Sequence, residues 1–251
     1  MILIRRMPAM DTYPAPALLP LTEADIEGYW QHGYVLLRGL VPRADVEAAV
    51  AAWQRAAGAA PTGDWNATVF DHRQPAKDRA IHALLAHARV LAAVEQLFEG
   101  PARVYYGMMA VVPAHGGKGL AWHQDNQYTH VLGHALNTFI ACCRIPPEKC
   151  NLWVAPGSHL DGLQPSLTSE GHRQAADPGN GILLPTLEPG DACIFNRYTL
   201  HRSLRNDTGE TRWAYAAQYH EDRARIAGSW RRDPLRMRAR DLAGWWAGLA
   251  G

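Results

Sequence analysis

The chain has 251 residues, of which 47% are hydrophobic and 20% charged, with a formal net charge of +1. That length fits one large domain better than two, and the apolar share supports a sizeable core. The near-neutral balance excludes the global positive field on which nucleic-acid binding draws.

Residues 1–20 are Pro-rich and irregular. MILI precedes Arg5 and Arg6, whereas an export signal carries its basic residues first and a longer apolar stretch after them. No run approaches the ~18 apolar residues of a membrane span, so the expected location is the cytoplasm, with no membrane partner, as a monomer or homodimer. Thr22 followed by Asp25 predicts an N-cap with an acidic first turn and a helix to about His32. YVLLR (34–38) reads as a strand. Val46, Val50 and Trp53 mark one face of a helix, as do Leu91, Val94 and Phe98, and Gly100-Pro101 stops the second helix. The segment around Gly63, Asp64 and Trp65 is a loop.

After residue 101 the chain changes to short strands separated by turn signals: 104–112, 135–145, 152–155, 182–187, 192–195 and 212–220. Asp161–Gly181 reads as a long polar loop. Helices first and then many short strands predict a mainly β fold with flanking α, two sheets braced by N-terminal helices. Cys142, Cys143, Cys150 and Cys193 match no zinc spacing and read as reduced, buried thiols. Lys77, Lys118 and Lys149 are the only lysines among the basic residues, and alanine is abundant, as in a high-GC bacterial genome. Seven arginines crowd residues 223–240, followed by Trp245 and Trp246; the arginine run reads as a solvated segment.

The chemistry concentrates at His123, Asp125 and His201. The first two stand two apart in AWHQDNQY, and in an extended strand such residues point to the same face. His201, in ACIFNRYTLHRSLRN, can bring a second imidazole from a distant strand. Two neutral nitrogens and one hard oxygen suit ferrous iron and leave coordination positions open. A tight turn at Asn206-Asp207-Thr208-Gly209 is expected to fold a hairpin that returns Arg212 to within a residue or two of His201. Its planar fork suits a carboxylate, so a keto-diacid could chelate the metal with one end and meet the guanidinium with the other.

These pieces resemble a known family. LTEADIEGYWQHGYVLLRGLV (21–41), AWHQD (121–125), LWVAPGSH (152–159), LEPGDACIF with LHRSLRN (187–206) and RWAYAAQYH (212–220) are similar, in this order, to phytanoyl-CoA dioxygenase-type (PhyH-like) iron/2-oxoglutarate oxygenases. The resemblance implies a double-stranded β-helix (jelly roll, cupin-like) in one domain over residues 1–251. Within it a helical brace would span about 20–100, the jelly roll about 101–220 and a C-terminal extension 221–251. It implies Fe(II) held by His123, Asp125 and His201, and 2-oxoglutarate held by Arg212 with help from Ser203. With O2 the reaction would release succinate and CO2 and oxidise a small-molecule substrate. A carboxylate at Asp125 argues against halogenation, since the halogenating relatives carry a small residue there.

Three departures bear on substrate and cosubstrate. Arg202 stands where many members have glycine, Glu148-Lys149-Cys150 replaces the usual ENG, and the strand before HQD shows Tyr106 and Met108 in place of a polar contact. Asn137 is the candidate to supply that contact to 2-oxoglutarate. Gln127 and Tyr128, after HQD, are expected at the pocket mouth, with Trp153 as a further substrate contact. Trp65, Trp122, Trp245 and Trp246 suit either pocket walls or packing. His130 and His134 lack the glutamate of a zinc helix, and His159 reads as a loop organiser.

The expected task is oxidation of a small molecule in bacterial natural-product or antibiotic biosynthesis, by hydroxylation, desaturation or ring closure; ether or orthoester formation on a sugar-containing antibiotic is one form of it. A fatty acyl-CoA is disfavoured, because no lysine-rich surface is evident for its phosphates. Two rival classes share the residues: a zinc-dependent hydrolase, in which Arg212 has no purpose, and a non-catalytic small-molecule-binding protein of the same fold.

Overall fold

The computed structural model describes residues 20–228 and 238–249. Helices come first: α1 (Glu23–His32), α2 (Arg43–Ala57), a short α3 (Arg79–His82) and α4 (Ala88–Phe98), with α5 (Ala239–Gly248) near the end of the chain. Thr22 caps α1 reciprocally, accepting the Asp25 amide at 3.2 Å while the Asp25 carboxylate accepts the Thr22 amide at 2.9 Å. Gly33 ends that helix at φ 81°, where a side chain would also strike His159 and Thr199. Val46 and Trp53 of α2 and Leu91 and Val94 of α4 are buried, and Val50 and Phe98 pack at the margin of the same core.

Thirteen strands are described: β1 (Tyr34–Leu37), β2 (Asn66–Val69), β3 (Ala102–Val112), β4 (Val131–Leu132), β5 (Ala135–Ala141), β6 (Leu152–Val154), β7 (Leu167–Ser169), β8 (His172–Gln174), β9 (Ile182–Leu183), β10 (Ala192–Asn196), β11 (His201–Ser203), β12 (Arg212–Glu221) and β13 (Arg225–Ile226). The larger sheet runs β1–β10–β5–β12–β3–β2, and β11–β6–β9 form the smaller one. Alternation along the strands builds two apolar layers. Trp213, Tyr215, Ala217 and Tyr219 of β12 face the helices, with Ile140 and Ile194 from neighbouring strands. Ala214 joins Phe139 and Phe195 on the opposite face, where Leu152 and Val154 of the smaller sheet meet them. This two-sheet, helix-braced architecture is the double-stranded β-helix.

Several expectations are corrected. The loop expected around Gly63, Asp64 and Trp65 is present, and directly after it comes the edge strand β2, which was not anticipated because its Asn-Ala-Thr-Val sequence carries little apolar signal; pairing with β3 recruits it. The 161–181 segment contains the β7–β8 hairpin. The 182–187 strand is confined to Ile182–Leu183, because Leu187 leaves to bridge Ile145. The 135–145 strand ends at Ala141. Contrary to the expectation of no membrane-length run, Arg79–Phe98 is long and apolar enough by composition; 61% of its most apolar window is buried, and a 3₁₀ turn at Ala83–Ala86 interrupts it. Of the arginine cluster, Arg240 grips buried Glu95 of α4 at 2.5 Å, while residues 229–237 and 1–19 lie outside the described residues. Trp246 packs on Phe70 and donates to Pro75 O at 2.9 Å, so it serves packing.

Three histidines sit inside this fold as neutral groups. Burial lowers His82 and His134 to about 4, and burial with neighbouring His201 does the same to His123. A depressed folded value means that the unfolded chain takes up protons first as the pH falls. Stability is therefore expected to be full above about 6.5, the unfolded histidine value, and to fall progressively between there and about 4. Urea titrations of the metal-free protein at stepped pH test this, and a flat profile over that window would refute it.

Candidate active site

The first step is a main-chain bridge between distant residues. His123 and His201 exchange both backbone hydrogen bonds, each at 3.0 Å, which extends the smaller sheet and brings the ring centroids to 4.1 Å. Each ring is held from behind: His123 Nδ1 lies 2.7 Å from Ala121 O, and His201 Nδ1 3.0 Å from Thr199 O. A carbonyl only accepts, so both Nδ1 atoms carry the proton and both Nε2 atoms present a lone pair. Burial, the larger cause, and His201 hold His123 down at about 4 against the opposing pull of Asp125, so its imidazole is neutral at neutral pH.

Asp125 reaches the same point by a different route from the one the spacing suggested. Gln124 is extended (φ −113°, ψ 140°), which puts His123 and Asp125 on one side, but Asp125 already opens a 3₁₀ turn through Gln127. The Gln124 side chain pins this turn, donating to Gly162 O (2.8 Å) and Tyr198 O (2.6 Å) and accepting from Gln164 N (2.8 Å). Asp125 Oδ1 stands 3.7 Å from His123 Nε2, and the three potential ligand atoms of His123, Asp125 and His201 lie within 4.8 Å of one another. Among the described residues this is the one such cluster. Its neutral nitrogens and hard oxygen, on one side of a cavity, fit Fe(II) with positions left for reactants.

A cavity of about 130 Å³ opens from this cluster. Phe139, Leu152, Phe195 and Met108 give it apolar walls, and Arg212, Ser203, Asn137, Tyr106 and Gln218 supply its polar groups. Arg212 is 5% exposed, yet its Nε has no hydrogen-bond partner among the described residues. Its Cζ lies 5.5 Å from the Phe139 ring centroid and Nη2 only 3.9 Å from Cys150 Sγ. A buried guanidinium without a carboxylate is costly, so the donor set fits an anionic ligand of the cavity. Ser203 Oγ accepts the Leu120 amide (3.3 Å), leaving its proton for the cavity; Gly119, where any side chain would strike Ser203, allows that approach. Tyr106 is pushed up to about 12 by burial, with Asp125 adding to it, and stays a neutral phenol donor.

Arg212 does not arrive on a hairpin paired with His201, as expected. β11 belongs to the smaller sheet and β12 to the larger, where Arg212 pairs with Val112 of β3. Asn206 makes the crossing: its Nδ2 donates to Val112 O (3.3 Å), Pro113 O (2.9 Å) and Glu210 O (2.9 Å). That amide fixes the turn to the end of β3, so Arg212 enters the cavity from the opposite wall.

Of the other expected contacts, Asn137 and Trp65 line the cavity and Gln127 and Trp153 do not. Gln127 is buried behind the His123–Asp125–His201 cluster, accepting from Gln124 N (3.0 Å) and donating to Gln164 O (3.1 Å), and does not line the cavity. Trp153 is also outside the lining. With Trp122 it sandwiches the Arg202 guanidinium, 4.6 and 4.7 Å from the two rings, which turns Arg202 away from His201 and Ser203 on the same strand. Tyr128 packs edge-on to His123 at 5.8 Å and its hydroxyl accepts the Arg173 amide at 3.1 Å, tying the β7–β8 hairpin to the site. Trp65 lines the cavity and meets His172 of that hairpin at 6.0 Å. Asn137 donates to Asp125, and its Oδ1 has no partner among the described residues. His130 and His134 each bond a tyrosine, Tyr198 and Tyr29, and His159 lies 3.0 Å from Trp30 O. Cys150, in place of the glycine of ENG, takes φ 53°, the left-handed region that glycine adopts without strain. All four cysteines are free.

Arg197 and Gln218 carried no sequence signal. Arg197 is 2% exposed and stands four residues before His201. It donates to Gln218 Oε1, to Asn126 Oδ1 (3.0 Å), and to the backbone carbonyls of Asp125 (3.0 Å) and Thr129 (3.2 Å). Gln218 Nε2 in turn donates to Asp125 Oδ2 at 3.1 Å.

Comparison with known proteins agrees with this architecture. The family model for phytanoyl-CoA dioxygenase (PhyH) matches residues 29–214. Dioxygenase lolE1 of Epichloe uncinata is 32% identical over 111 residues, 43% of each chain, so the match spans less than half of that relative. Methylphosphonate hydroxylase of Gimesia maris is 27% identical over 206 residues, 76% of this chain and 78% of that one. Among solved structures, the epimerase SnoN in complex with Fe3+, alpha ketoglutarate and nogalamycin RO superimposes with a TM-score of 0.68 at 22% identity, covering 86% of this chain and 93% of that one. With the family model spanning most of the sequence and the His-Asp-His cluster formed, the chain belongs to the phytanoyl-CoA dioxygenase (PhyH) family and is a non-haem iron, 2-oxoglutarate-dependent dioxygenase.

Proposed function

We propose that the protein oxidises a small organic molecule in bacterial natural-product biosynthesis, in the cytoplasm, with His123, Asp125 and His201 as the iron ligands and Arg212 as the cosubstrate anchor. The observation that carries this reading is the pairing of the ligand cluster, in one cavity, with a buried guanidinium that has no carboxylate partner among the described residues. When bound, iron(II) with 2-oxoglutarate and O2 supplies a two-electron oxidation of the substrate, with succinate and CO2 as co-products. Arg212, helped by the Ser203 hydroxyl, grips the distal carboxylate and orients the keto acid. Phe139, Leu152 and Phe195 keep water from its hydrocarbon part. Trp65, Tyr106 and Met108 shape the space left for the substrate, and Tyr128 with the β7–β8 hairpin borders its entrance.

A hydroxylase named for methylphosphonate, an epimerase structure holding nogalamycin RO and a carbocyclase structure support a small-molecule substrate, and support more than one outcome of this chemistry, hydroxylation and ring closure among them. A zinc hydrolase would leave Arg212 without a role. The test is an anaerobic titration with Fe(II) and then 2-oxoglutarate, followed by a metabolite screen for compounds that accelerate succinate release. A visible charge-transfer band that needs both components is the expected result. Activity restored by zinc, with no band, would overturn the proposal.

A further inference from the structure

We infer that Arg197 is a positioning residue for the metal centre, acting through Gln218 to leave a single oxygen of Asp125 for the ion. The inference rests on the metal-ligand role proposed for Asp125. An arginine side chain has donors and no acceptor. Facing Arg197 Nη1, Gln218 must therefore present its amide oxygen, and its NH2 group must point the other way. That group meets Asp125 Oδ2 at 3.1 Å, and the Asn137 amide donates to the same oxygen. With Oδ2 engaged twice, Oδ1, 3.7 Å from His123 Nε2, is the oxygen turned to the ligand cluster.

The same guanidinium holds the Asp125 main chain. Its Nη2 takes the Asp125 and Thr129 carbonyls, and its Nε takes Asn126 Oδ1, whose own Nδ2 donates to Val131 O at 3.2 Å. One planar fork thus fixes the turn carrying the carboxylate, the strand β12 behind it and the orientation of the amide between them. No carboxylate takes part in an ion pair with Arg197 among the described residues; the Tyr105 ring lies 4.9 Å from its Cζ. A ligand confined to one oxygen occupies one coordination position, which leaves more of them to the keto acid and to O2.

The test is Mn(II) binding to the metal-free protein by calorimetry, with Asp125→Ala, Gln218→Leu, Arg197→Lys and the double variant Gln218→Leu/Arg197→Lys. Thermal unfolding of each metal-free variant shows whether it is folded. Weakening by roughly 10–100-fold is expected for both single outer variants, the range for partners behind a ligand. Lysine keeps the charge and loses the fork, so it is not expected to rescue. Because Arg197 acts on Gln218, the double variant should bind as weakly as Arg197→Lys and no more weakly. Wild-type affinity in Gln218→Leu, or losses that add in the double variant, overturns the relay. Should Arg197→Lys fail to fold, Gln218→Leu decides alone. Unchanged affinity in Asp125→Ala would instead refute the ligand assignment on which the inference stands.

Discussion

Alanine at Asp125 or His123 is expected to reduce iron-dependent release of succinate to the level of protein-free controls. Each substitution removes one of three convergent donors, and the loss in metal affinity should exceed the roughly 10–100-fold that changes behind a ligand produce. The fold should survive in the Asp125 variant, because the carboxylate lies in a 3₁₀ turn whose position is fixed by Gln124 and by Arg197 through main-chain atoms. In the His123 variant the bridge to His201 is made by backbone groups alone and should persist. Metal content after anaerobic loading, succinate yield and thermal unfolding together separate loss of the ion from loss of structure. Retained turnover in either folded variant refutes the ligand assignment. Asp125→Gly extends the test: hydroxylation should vanish, and product mass spectra in chloride buffer would show whether the opened position accepts a halide.

For Arg212→Met, a rise of ~10²-fold or more in the KM for 2-oxoglutarate is expected, with the KM for the organic substrate little changed. Breaking a buried charge pair costs about 3–5 kcal/mol, and 1.4 kcal/mol is a factor of ten. The comparison between the two KM values isolates the role, since a general distortion of the cavity would move both. A second consequence has the opposite sign. Among the described residues no carboxylate pairs with the buried guanidinium, so replacing it by an apolar side chain of similar length should leave the metal-free protein as stable as wild type or more so. The wild type should gain thermal stability from 2-oxoglutarate in the presence of Mn(II), and the variant should not. Equal effects on both KM values, or a stabilisation by 2-oxoglutarate that survives the substitution, would count against the anchor.

What the sequence revealed depended on whether the signal was local. The N-cap at Thr22 with Asp25 in the first turn, the helical stripe through Val46 and Trp53, and the strand over 212–220 are short-range patterns, and the structure has each of them. The cluster of His123, Asp125 and His201 was legible because its motifs flank the ligands. Its construction was not: a two-residue spacing suggests a strand, whereas one extended residue and a 3₁₀ turn do the work. The route of Arg212 was misread for a similar reason. The Asn206 turn looks like a hairpin, but its amide binds the end of β3, and that contact separates β11 from β12 into different sheets. Gln127 and Trp153 looked available by position; hydrogen bonds to Gln164 and stacking on Arg202 claim them. Arg197 and Gln218 were invisible, because nothing near either residue in sequence reports what they touch across the fold.

The two sheets carry different halves of the site. His201 rides on the smaller sheet and draws His123 to its edge, while Arg212 is fixed to the larger one through Val112. In the proposed arrangement the gap between them works as a caliper. One jaw takes the keto end of the diacid, the other takes its tail, and Phe139, Leu152 and Phe195, wedged between the jaws, set the opening. Discrimination among homologous diacids by chain length then follows from core packing itself, with no residue devoted to measuring it.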